Sequence, residues 1–242
     1  MKKIIKNILK IFGWKLIKLN TKIPKSYSYK QPEIEEIKYI LNSKGVLHLG
    51  GHRGTEAAVY DWLNKKVLWI EAIPEIFKEL EINIKNHYNQ KAICTLLGNI
   101  DKKDTTFNLS NRDQSCSSIF DLSEEVKTNE LWKGQNIKMT DSINLQMRTL
   151  DSIFEEHKIS SKEYNHWVID LQGSELIFLE GSVKSLKDCD SITIEVSLKN
   201  FYQNGAKWMD IKNFLNSNDF KLYKNPDENI DNDQDIFFFR SK

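Results

Sequence analysis

The sequence predicts an α/β fold in which a mostly parallel sheet carries helices on both faces. Two observations predict it. Short apolar stretches alternate with helical stretches from residue 45 onward, and a glycine-rich turn joins the first apolar stretch to a helix. Parallel strands need crossovers of this kind, and the crossover helices then cover the sheet. A chain of 242 residues, 40% of them hydrophobic, is long enough for one such domain with its own core.

The predicted elements follow one another in a regular order. Apolar periodicity and the positions of glycine and proline predict helices at residues 33–42, 55–63, 74–86, 174–186 and 206–216. Apolar runs predict strands at residues 45–49, 67–70, 92–97, 167–171, 192–196, 220–223 and 236–239. The polar segment 98–148 is expected to be irregular apart from an edge strand near Phe107. The sequence thus predicts one domain over residues 33–242.

Residues 1–32 differ from this domain in charge. They contain nine lysines and no acidic residue, whereas the other 210 residues carry 26 basic and 34 acidic groups. Apolar residues from Ile4 to Leu16 recur at helical spacing, which predicts a basic amphipathic helix over residues 2–19, followed by a linker. Such a helix either binds an anionic membrane surface or packs on the domain's own core. The acidic body argues against a nucleic-acid channel.

The cysteines and the apolar runs indicate the compartment. Cys94, Cys116 and Cys189 are scattered and form no C-x-x-C pair, which is typical of a reducing environment. No apolar run is long enough to cross a bilayer, and the N-terminal stretch has no small-residue cleavage site. We therefore expect a cytoplasmic protein, with contact at the inner face of a membrane if residues 1–19 bind lipid.

Two features predict a ligand that contains adenosine. Residues 48–56, with the sequence HLGGHRGTE, join a strand to a helix, so glycines there allow a close backbone approach and the helix supplies free N–H donors. Glu71 ends the next strand about 20 residues later, where an acid binds ribose hydroxyls in related sheets. The alternatives are a tight turn without ligand and a solvated carboxylate. A dinucleotide fingerprint is disfavoured, because its first glycine would fall on Leu49.

A third feature is the segment 168–175, with the sequence VIDLQGSE. Asp170 leaves an apolar strand just before a glycine and a helix start, which places an acid at the carboxyl edge of the sheet. Ligand crevices in open α/β folds lie at that edge. The alternative is that Asp170 and Ser174 only cap the following helix.

The chain resembles the FkbM-type methyltransferase family over residues 45–240. The resemblance implies a seven-stranded Rossmann-like sheet of the class I methyltransferase type, S-adenosylmethionine as methyl donor, and a hydroxyl acceptor on a sugar of a surface glycan or glycolipid precursor. The strings that carry it, in family order and spacing, are HLGGHRGTE, VLWIEAIPEIFKEL, SNRDQSCSSI, RTLDSI, VIDLQGSELIFLEG and ITIEVS.

The resemblance also implies site residues. The cofactor-binding residues it implies are Gly50, Gly51, His52 and Gly54 along the donor's amino-acid part, Glu71 at its ribose, Gly98, Asn99 and Asp101 at its adenine, and Asp170 and Gln172 near its methyl. Glu175 and Glu195 are expected to face the acceptor. His48 and Gln172 depart from the family, where many members have acids, so the residue that binds the donor's ammonium stays open.

The chemistry requires a proton acceptor and an acceptor-binding surface. We expect Asp170 to be the general base, with Glu195 second, although Glu195 could instead be purely structural. A divalent ion held by these two carboxylates is also open. Ser115, Ser117, Ser118 and Tyr202 are expected to bind the sugar, the alternatives being a surface loop and a core tyrosine. The competing function is a catalytically silent module that binds partners in glycan assembly.

Overall fold

The computed structural model describes residues 34–128, 135–229 and 233–240. The predicted N-terminal helix and linker lie outside these residues, so the division at residue 32 stays a prediction. No helix within the described ranges is both long and apolar enough to cross a membrane.

Ten strands lie in the described part of the chain: β1 (Gly45–Leu49), β2 (Lys66–Glu71), β3 (Gln90–Cys94), β4 (Leu96–Leu97), β5 (Lys103–Ser110), β6 (Met139–Arg148), β7 (His166–Ile169), β8 (Ser191–Val196), β9 (Lys221–Leu222) and β10 (Gln234–Phe239). The α-helices of the same ranges are α1 (Ile34–Asn42), α2 (Ala57–Trp62), α3 (Pro74–Ile84), α4 (Glu124–Thr128), α5 (Leu150–Glu156), α6 (Glu175–Glu180), α7 (Val183–Leu186) and α8 (Trp208–Ser217).

The main sheet has seven strands in the order β3-β2-β1-β7-β8-β10-β9. The five strands from β3 to β8 run parallel, and β10 is antiparallel to both of its neighbours. The predicted seven-stranded, mostly parallel α/β sheet is confirmed. After β1 the chain adds β2 and β3 on one side of that strand, whereas after β7 it adds β8 on the opposite side of the sheet. The strand order therefore reverses its direction between β1 and β7. The carboxyl ends of these two strands therefore border the crevice in which open α/β sheets bind ligands.

Side chains that alternate along β1 build hydrophobic cores on both faces of the sheet. Leu47 and Leu49 belong to the larger cluster, whereas Val46 packs in a second cluster with Trp69 and Tyr60. Fully burying a large apolar side chain contributes about 1.5–3 kcal/mol. The two cores therefore fix β1 and β2, and with them the strand ends that carry the site.

The segment 98–148 is more regular than the sequence predicts. It contributes β5 and β6, which with β4 form a second sheet in the order β4-β6-β5. The edge strand predicted near Phe107 is confirmed as β5, but the prediction that the rest of the segment is irregular was wrong. Ile143, Leu145 and Met147 point to one face of β6, but the polar residues before and between them include Asp141 and Asn144, which are poor strand formers. The predicted strand at 92–97 likewise splits, because Leu96 and Leu97 pair with β6 instead of continuing in the main sheet.

The predicted helix 174–186 is divided into α6 and α7 at Gly181 and Ser182. A Cβ at Gly181 would lie 2.0 Å from the carbonyl oxygen of Gly98, so only glycine allows this close approach. The Asp151 carboxylate accepts from the N–H groups of Lys184 and Ser185 at 3.0 and 2.8 Å. Asp151 thus stabilises the start of α7.

Candidate active site

The glycine turn after β1 joins the ends of β2 and β7. The N–H groups of Gly50 and Gly51 donate to the carbonyl of Ile70 at 2.9 and 3.0 Å, which ties the turn to β2. On the other side, the N–H of Asp170 donates to the carbonyl of Leu49 at 3.0 Å. Gly50 has a φ of +75°, and a Cβ there would lie 1.7 Å from the Asp170 carbonyl oxygen. Only glycine fits this position.

The carboxylate of Glu71 is fixed beside this turn. The N–H of His52 donates to Oε2 and the N–H of Ile73 donates to Oε1, both at 2.8 Å. Burial raises the pKa of the Glu71 carboxyl, and the two backbone hydrogen bonds offset part of that rise. Each carboxylate oxygen still has a lone pair, so Glu71 can accept further hydrogen bonds from a ligand with paired hydroxyls.

A cavity of about 240 Å³ opens at this edge of the sheet, and we call it the first cavity. Ile73, Leu96 and Phe107, which pack in one hydrophobic cluster, contribute its apolar wall. The predicted donor-binding residues that line it are Gly50, His52, Glu71, Asp170 and Gln172. The structure thus brings together residues from three separate parts of the sequence in one concave site.

A loop at residues 111–117 forms another wall of the first cavity and is tied to the glycine turn. Arg53 donates to both carboxylate oxygens of Asp113, at 2.5 and 2.8 Å, and to Glu79 on α3 at 2.5 Å. Beyond the loop, the hydroxyl of Ser118 donates to the backbone carbonyl of Gln172 at 2.7 Å. These contacts attach the loop to the glycine turn, whose Arg53 also binds α3, and attach the residue after the loop to the segment that follows β7.

The side-chain amide of Gln172 is hydrogen-bonded to two carboxylates. Its Nε2 donates to Oδ1 of Asp170 at 2.6 Å and to Oε2 of Glu195 at 3.0 Å. Its Oε1 accepts from the hydroxyl of Tyr202 at 2.6 Å, which fixes the amide orientation. Burial raises the pKa of Asp170, while hydrogen bonds with Glu195 and Gln172 lower it by less. Two neighbouring carboxylates of this kind favour sharing one proton.

A second cavity, of about 340 Å³, lies on the other side of Gln172. Glu195 lines it, and so do the aromatic residues Phe201, Tyr202 and Trp208. The hydroxyl oxygen of Ser197, also in its wall, is buried without a hydrogen-bond partner among the described residues. Because Asp170 lines the first cavity and Glu195 the second, the carboxylate pair is accessible from both.

Glu175 is buried under the second cavity and organises the loop after β7. Its Oε1 accepts from the N–H groups of Leu171 and Gly173, both at 3.0 Å. Burial raises the pKa of this carboxyl to about 7, and the backbone hydrogen bonds oppose that rise. Glu175 therefore supports the segment that carries Asp170 and Gln172.

Replacing Glu175 by glutamine is expected to alter how stability depends on pH. Since the carboxyl pKa is 4.5 in the unfolded chain and about 7 in the fold, the folded protein binds the extra proton between these values. Wild-type stability should fall as pH rises through that window, relative to Glu175→Gln, by up to about 1.4 kcal/mol per pH unit. Urea unfolding across the window measures the difference. Exposed Glu155→Gln is the control, and parallel curves for wild type and Glu175→Gln would contradict the assignment.

Comparison with known proteins identifies the family. The model of the methyltransferase FkbM domain matches residues 48–222, which include the glycine turn, Glu71, Asp170 and Glu195. The chain belongs to the FkbM methyltransferase family. By family and fold it is an S-adenosylmethionine-dependent methyltransferase, as the sequence predicts.

The FkbM chain is also similar to several solved structures. A magnesium protoporphyrin IX methyltransferase from Synechocystis PCC 6803 with bound SAH is 9% identical, covers 99% of both chains and has a TM-score of 0.46. An rRNA methylase from Streptococcus thermophilus is also 9% identical, covers 89% of this chain and 100% of its own, and has a TM-score of 0.45. The comparison with curated proteins gave no match.

The residues predicted at the adenine lie outside the first cavity of the FkbM domain. Asn99 donates to Glu180 at the end of α6 at 2.8 Å, and Asp101 accepts from Arg148 at 2.8 Å. Gly98 packs against Met147, whose sulfur would lie 2.2 Å from a Cβ at this position. The chain turns away to the second sheet at Leu96 and Leu97, so these two leucines, with Thr95 before them, line the cavity instead.

The remaining glycines and His48 have packing roles in the FkbM fold. A Cβ at Gly51 would lie 2.8 Å from the Trp69 ring, and one at Gly54 would lie 2.5 Å from Leu80. His48 is buried against Trp69, with ring centroids 4.4 Å apart, and its Nδ1 is 3.0 Å from the hydroxyl of Tyr60. His48 therefore lies in the core, where burial lowers its pKa, and not in the first cavity.

The residues predicted to bind the acceptor are divided between the two cavities. Ser115 and Ser117 line the first cavity, and Glu175 and Tyr202 line the second. Ser118 lines neither, and its hydroxyl donates to the backbone carbonyl of Gln172. Sequence reasoning missed Phe107 and Gln114 as cavity residues of the FkbM domain. The sequence feature that could have indicated Gln114 is its place in the polar string SNRDQSCSSI. No cluster of His, Cys, Asp or Glu suited to a metal ion occurs within the described ranges.

Proposed function

We propose that this methyltransferase transfers the methyl group of S-adenosylmethionine to a hydroxyl oxygen of a sugar in a surface glycan or glycolipid precursor. The observation that carries the proposal is the half-buried pair Asp170 and Glu195, joined by Gln172 between two cavities. Methyl transfer to a hydroxyl releases a proton, and a carboxylate pair accessible from both cavities is suited to accept it.

The residues of the first cavity fit the donor. The free lone pairs of Glu71 suit the ribose hydroxyls, and the apolar wall of Ile73, Leu96 and Phe107 suits a purine ring. The bound donor supplies an electrophilic methyl group, so the protein needs to align the acceptor and remove its proton. Asp170 borders the same cavity and is therefore the nearer of the two carboxylates to this methyl.

Asp170 acts as the proton acceptor, and Gln172 and Glu195 set its position. The amide of Gln172 donates to both carboxylates, which holds them in fixed orientations. Because burial raises the pKa of Asp170, the group binds a proton more readily than an exposed aspartate does. The pair takes up the hydroxyl proton when both of its members are ionised, and Asp170 and Glu195 then share that single proton, so that one carboxylate's charge remains.

The second cavity is the acceptor site. Its aromatic residues Phe201, Tyr202 and Trp208 offer faces for the apolar side of a sugar ring, and the hydroxyl of Ser197 can bond to a sugar hydroxyl. Asn200 and Asp210 add polar groups to the same wall. This combination of rings and hydrogen-bonding groups supports a carbohydrate acceptor.

The proposal is tested by methyl transfer from donor labelled with ¹³C at the methyl group. Wild-type protein is incubated with a panel of nucleotide sugars and lipid-linked oligosaccharides, and the products are examined by NMR. The expected result is a labelled methyl group on a sugar oxygen. A labelled methyl group on nitrogen or carbon, or no transfer although the donor binds, would contradict the proposal.

Replacing Trp208 by alanine should weaken acceptor binding selectively. Removing an aromatic face that stacks on the sugar should raise the acceptor KM about tenfold or more, while donor affinity stays within a few-fold. Steady-state kinetics with the acceptor found above measures KM, and calorimetry measures donor affinity. Trp62→Ala is the matched control, because Trp62 is 81% exposed and lines neither cavity. An unchanged KM in Trp208→Ala would place the acceptor elsewhere.

A further inference from the structure

One wall residue of the first cavity carries a buried acceptor atom that nothing in the described part of the protein satisfies. The Oε1 atom of Gln114 is buried and has no hydrogen-bond partner among the described residues. Gln114 is also a wall residue of the first cavity. A buried amide oxygen without a partner costs about 1–3 kcal/mol, so such atoms in native proteins call for a ligand or water. We propose that Gln114 binds the methyl donor by accepting a hydrogen bond from one of its N–H groups.

Contacts on both sides of Gln114 restrain the backbone that carries its side chain. Asp113 is bound by Arg53 through two hydrogen bonds, and its carbonyl oxygen lies 3.0 Å from Nε2 of His52. On the other side, the hydroxyl of Ser117 accepts from the N–H of Ser110 at 3.0 Å. Preorganised contacts of this kind reduce the entropy lost when a ligand binds.

The carboxylate and amide groups of Glu71, Asp170 and Gln172, which line the same cavity, each accept at least one hydrogen bond. Glu71 accepts from two backbone N–H groups, Asp170 accepts from Gln172, and the Oε1 of Gln172 accepts from Tyr202. Among the side chains of this cavity that the structure describes, Gln114 thus carries the buried acceptor atom that has no partner at all. Glu71, with its free lone pairs, remains available for the hydroxyl groups.

The donor has two N–H groups of the required chemistry, the exocyclic amine of adenine and the α-ammonium of its amino-acid part. Both donate hydrogen bonds, and the ammonium also carries a charge. The inference rests on the proposed placement of the donor in the first cavity. It adds a specific recognition contact that neither the glycine turn nor Glu71 provides.

Calorimetric titration with S-adenosylhomocysteine tests the contact in two variants. Gln114→Met keeps the length of the side chain but removes the acceptor, so affinity should fall about tenfold. Gln114→Glu keeps an acceptor oxygen and should bind at least as tightly as wild type. Gln146→Met, at an exposed glutamine of β6 outside the first cavity, is the matched control and should not change affinity.

The results separate the inference from the donor site itself. Equal affinity of Gln114→Met and wild type would overturn the inference, and so would an equal loss in Gln114→Met and Gln114→Glu. If wild type fails to bind S-adenosylhomocysteine, the donor site is overturned as well.

Two analogues identify which N–H group is bound. Methylthioadenosine lacks the ammonium, and S-inosylhomocysteine lacks the adenine amine. If the ammonium is the partner, Gln114→Met and wild type bind methylthioadenosine equally, and the inosyl compound shows the tenfold difference. If the amine is the partner, Gln114→Met shows the tenfold difference from wild type with methylthioadenosine, and the two proteins bind the inosyl compound equally. A tenfold difference with both analogues would mean that Gln114 acts on the shape of the cavity and would overturn the hydrogen bond.

Discussion

Replacing Asp170 by asparagine is expected to slow methyl transfer by about two to four orders of magnitude. Asparagine has nearly the same shape, so the backbone hydrogen bond with the Leu49 carbonyl and the packing of the glycine turn are retained. Its amide cannot take up the hydroxyl proton. The affinity for S-adenosylhomocysteine should therefore stay within a few-fold, and single-turnover kinetics with saturating donor should show the loss in the rate of transfer.

The Glu195→Gln variant and the double variant test whether the two carboxylates act together. If they share a proton, the two losses should be far from additive, since removing either member disrupts the same group. Asp104→Asn, at an exposed position on β5, is the matched control. Full activity of Asp170→Asn would exclude Asp170 as the proton acceptor and assign that role to Glu195 or to a bound metal ion.

Replacing Glu71 by alanine is expected to weaken donor binding by about 1–3 kcal/mol, or roughly 5- to 150-fold in the dissociation constant. The change removes the carboxylate that is available to the ribose hydroxyls. It also leaves the N–H groups of His52 and Ile73 without their acceptor. Calorimetric titration with S-adenosylhomocysteine measures the loss.

Two comparison variants show whether the carboxylate itself is responsible for that loss. Glu71→Gln keeps one acceptor oxygen and should lose less affinity than Glu71→Ala. Glu81→Ala, at an exposed position on α3, should bind like wild type. If Glu71→Ala binds with wild-type affinity, Glu71 does not contact the donor.

The main sheet was predictable because local sequence determines it. The apolar run at 45–49 gave the bounds of β1, and the acids at the ends of β2 and β7 were predicted at their observed positions. A parallel strand that is buried on both faces is a nearly continuous apolar run, so its limits are visible in the sequence. The residues that follow such strands then share one edge of the sheet, and this placed Glu71 and Asp170 together.

The rest of the site depends on contacts between distant parts of the chain. Leu96 and Leu97 leave the main sheet only because β6, about 50 residues later, pairs with them. That pairing moves Gly98, Asn99 and Asp101 out of the first cavity. The position of Gln114 likewise depends on the Arg53–Asp113 ion pair, which no local pattern indicates.

A crystal structure of the protein with S-adenosylhomocysteine would show directly whether the donor binds in the first cavity. We expect the ligand there, with both ribose hydroxyls within hydrogen-bonding distance of Glu71 and the sulfur on the side of Asp170. We also expect an N–H group of the ligand at the Oε1 of Gln114. A ligand bound elsewhere, or bound here with its ribose away from Glu71, would show that the first cavity is not the donor site described above.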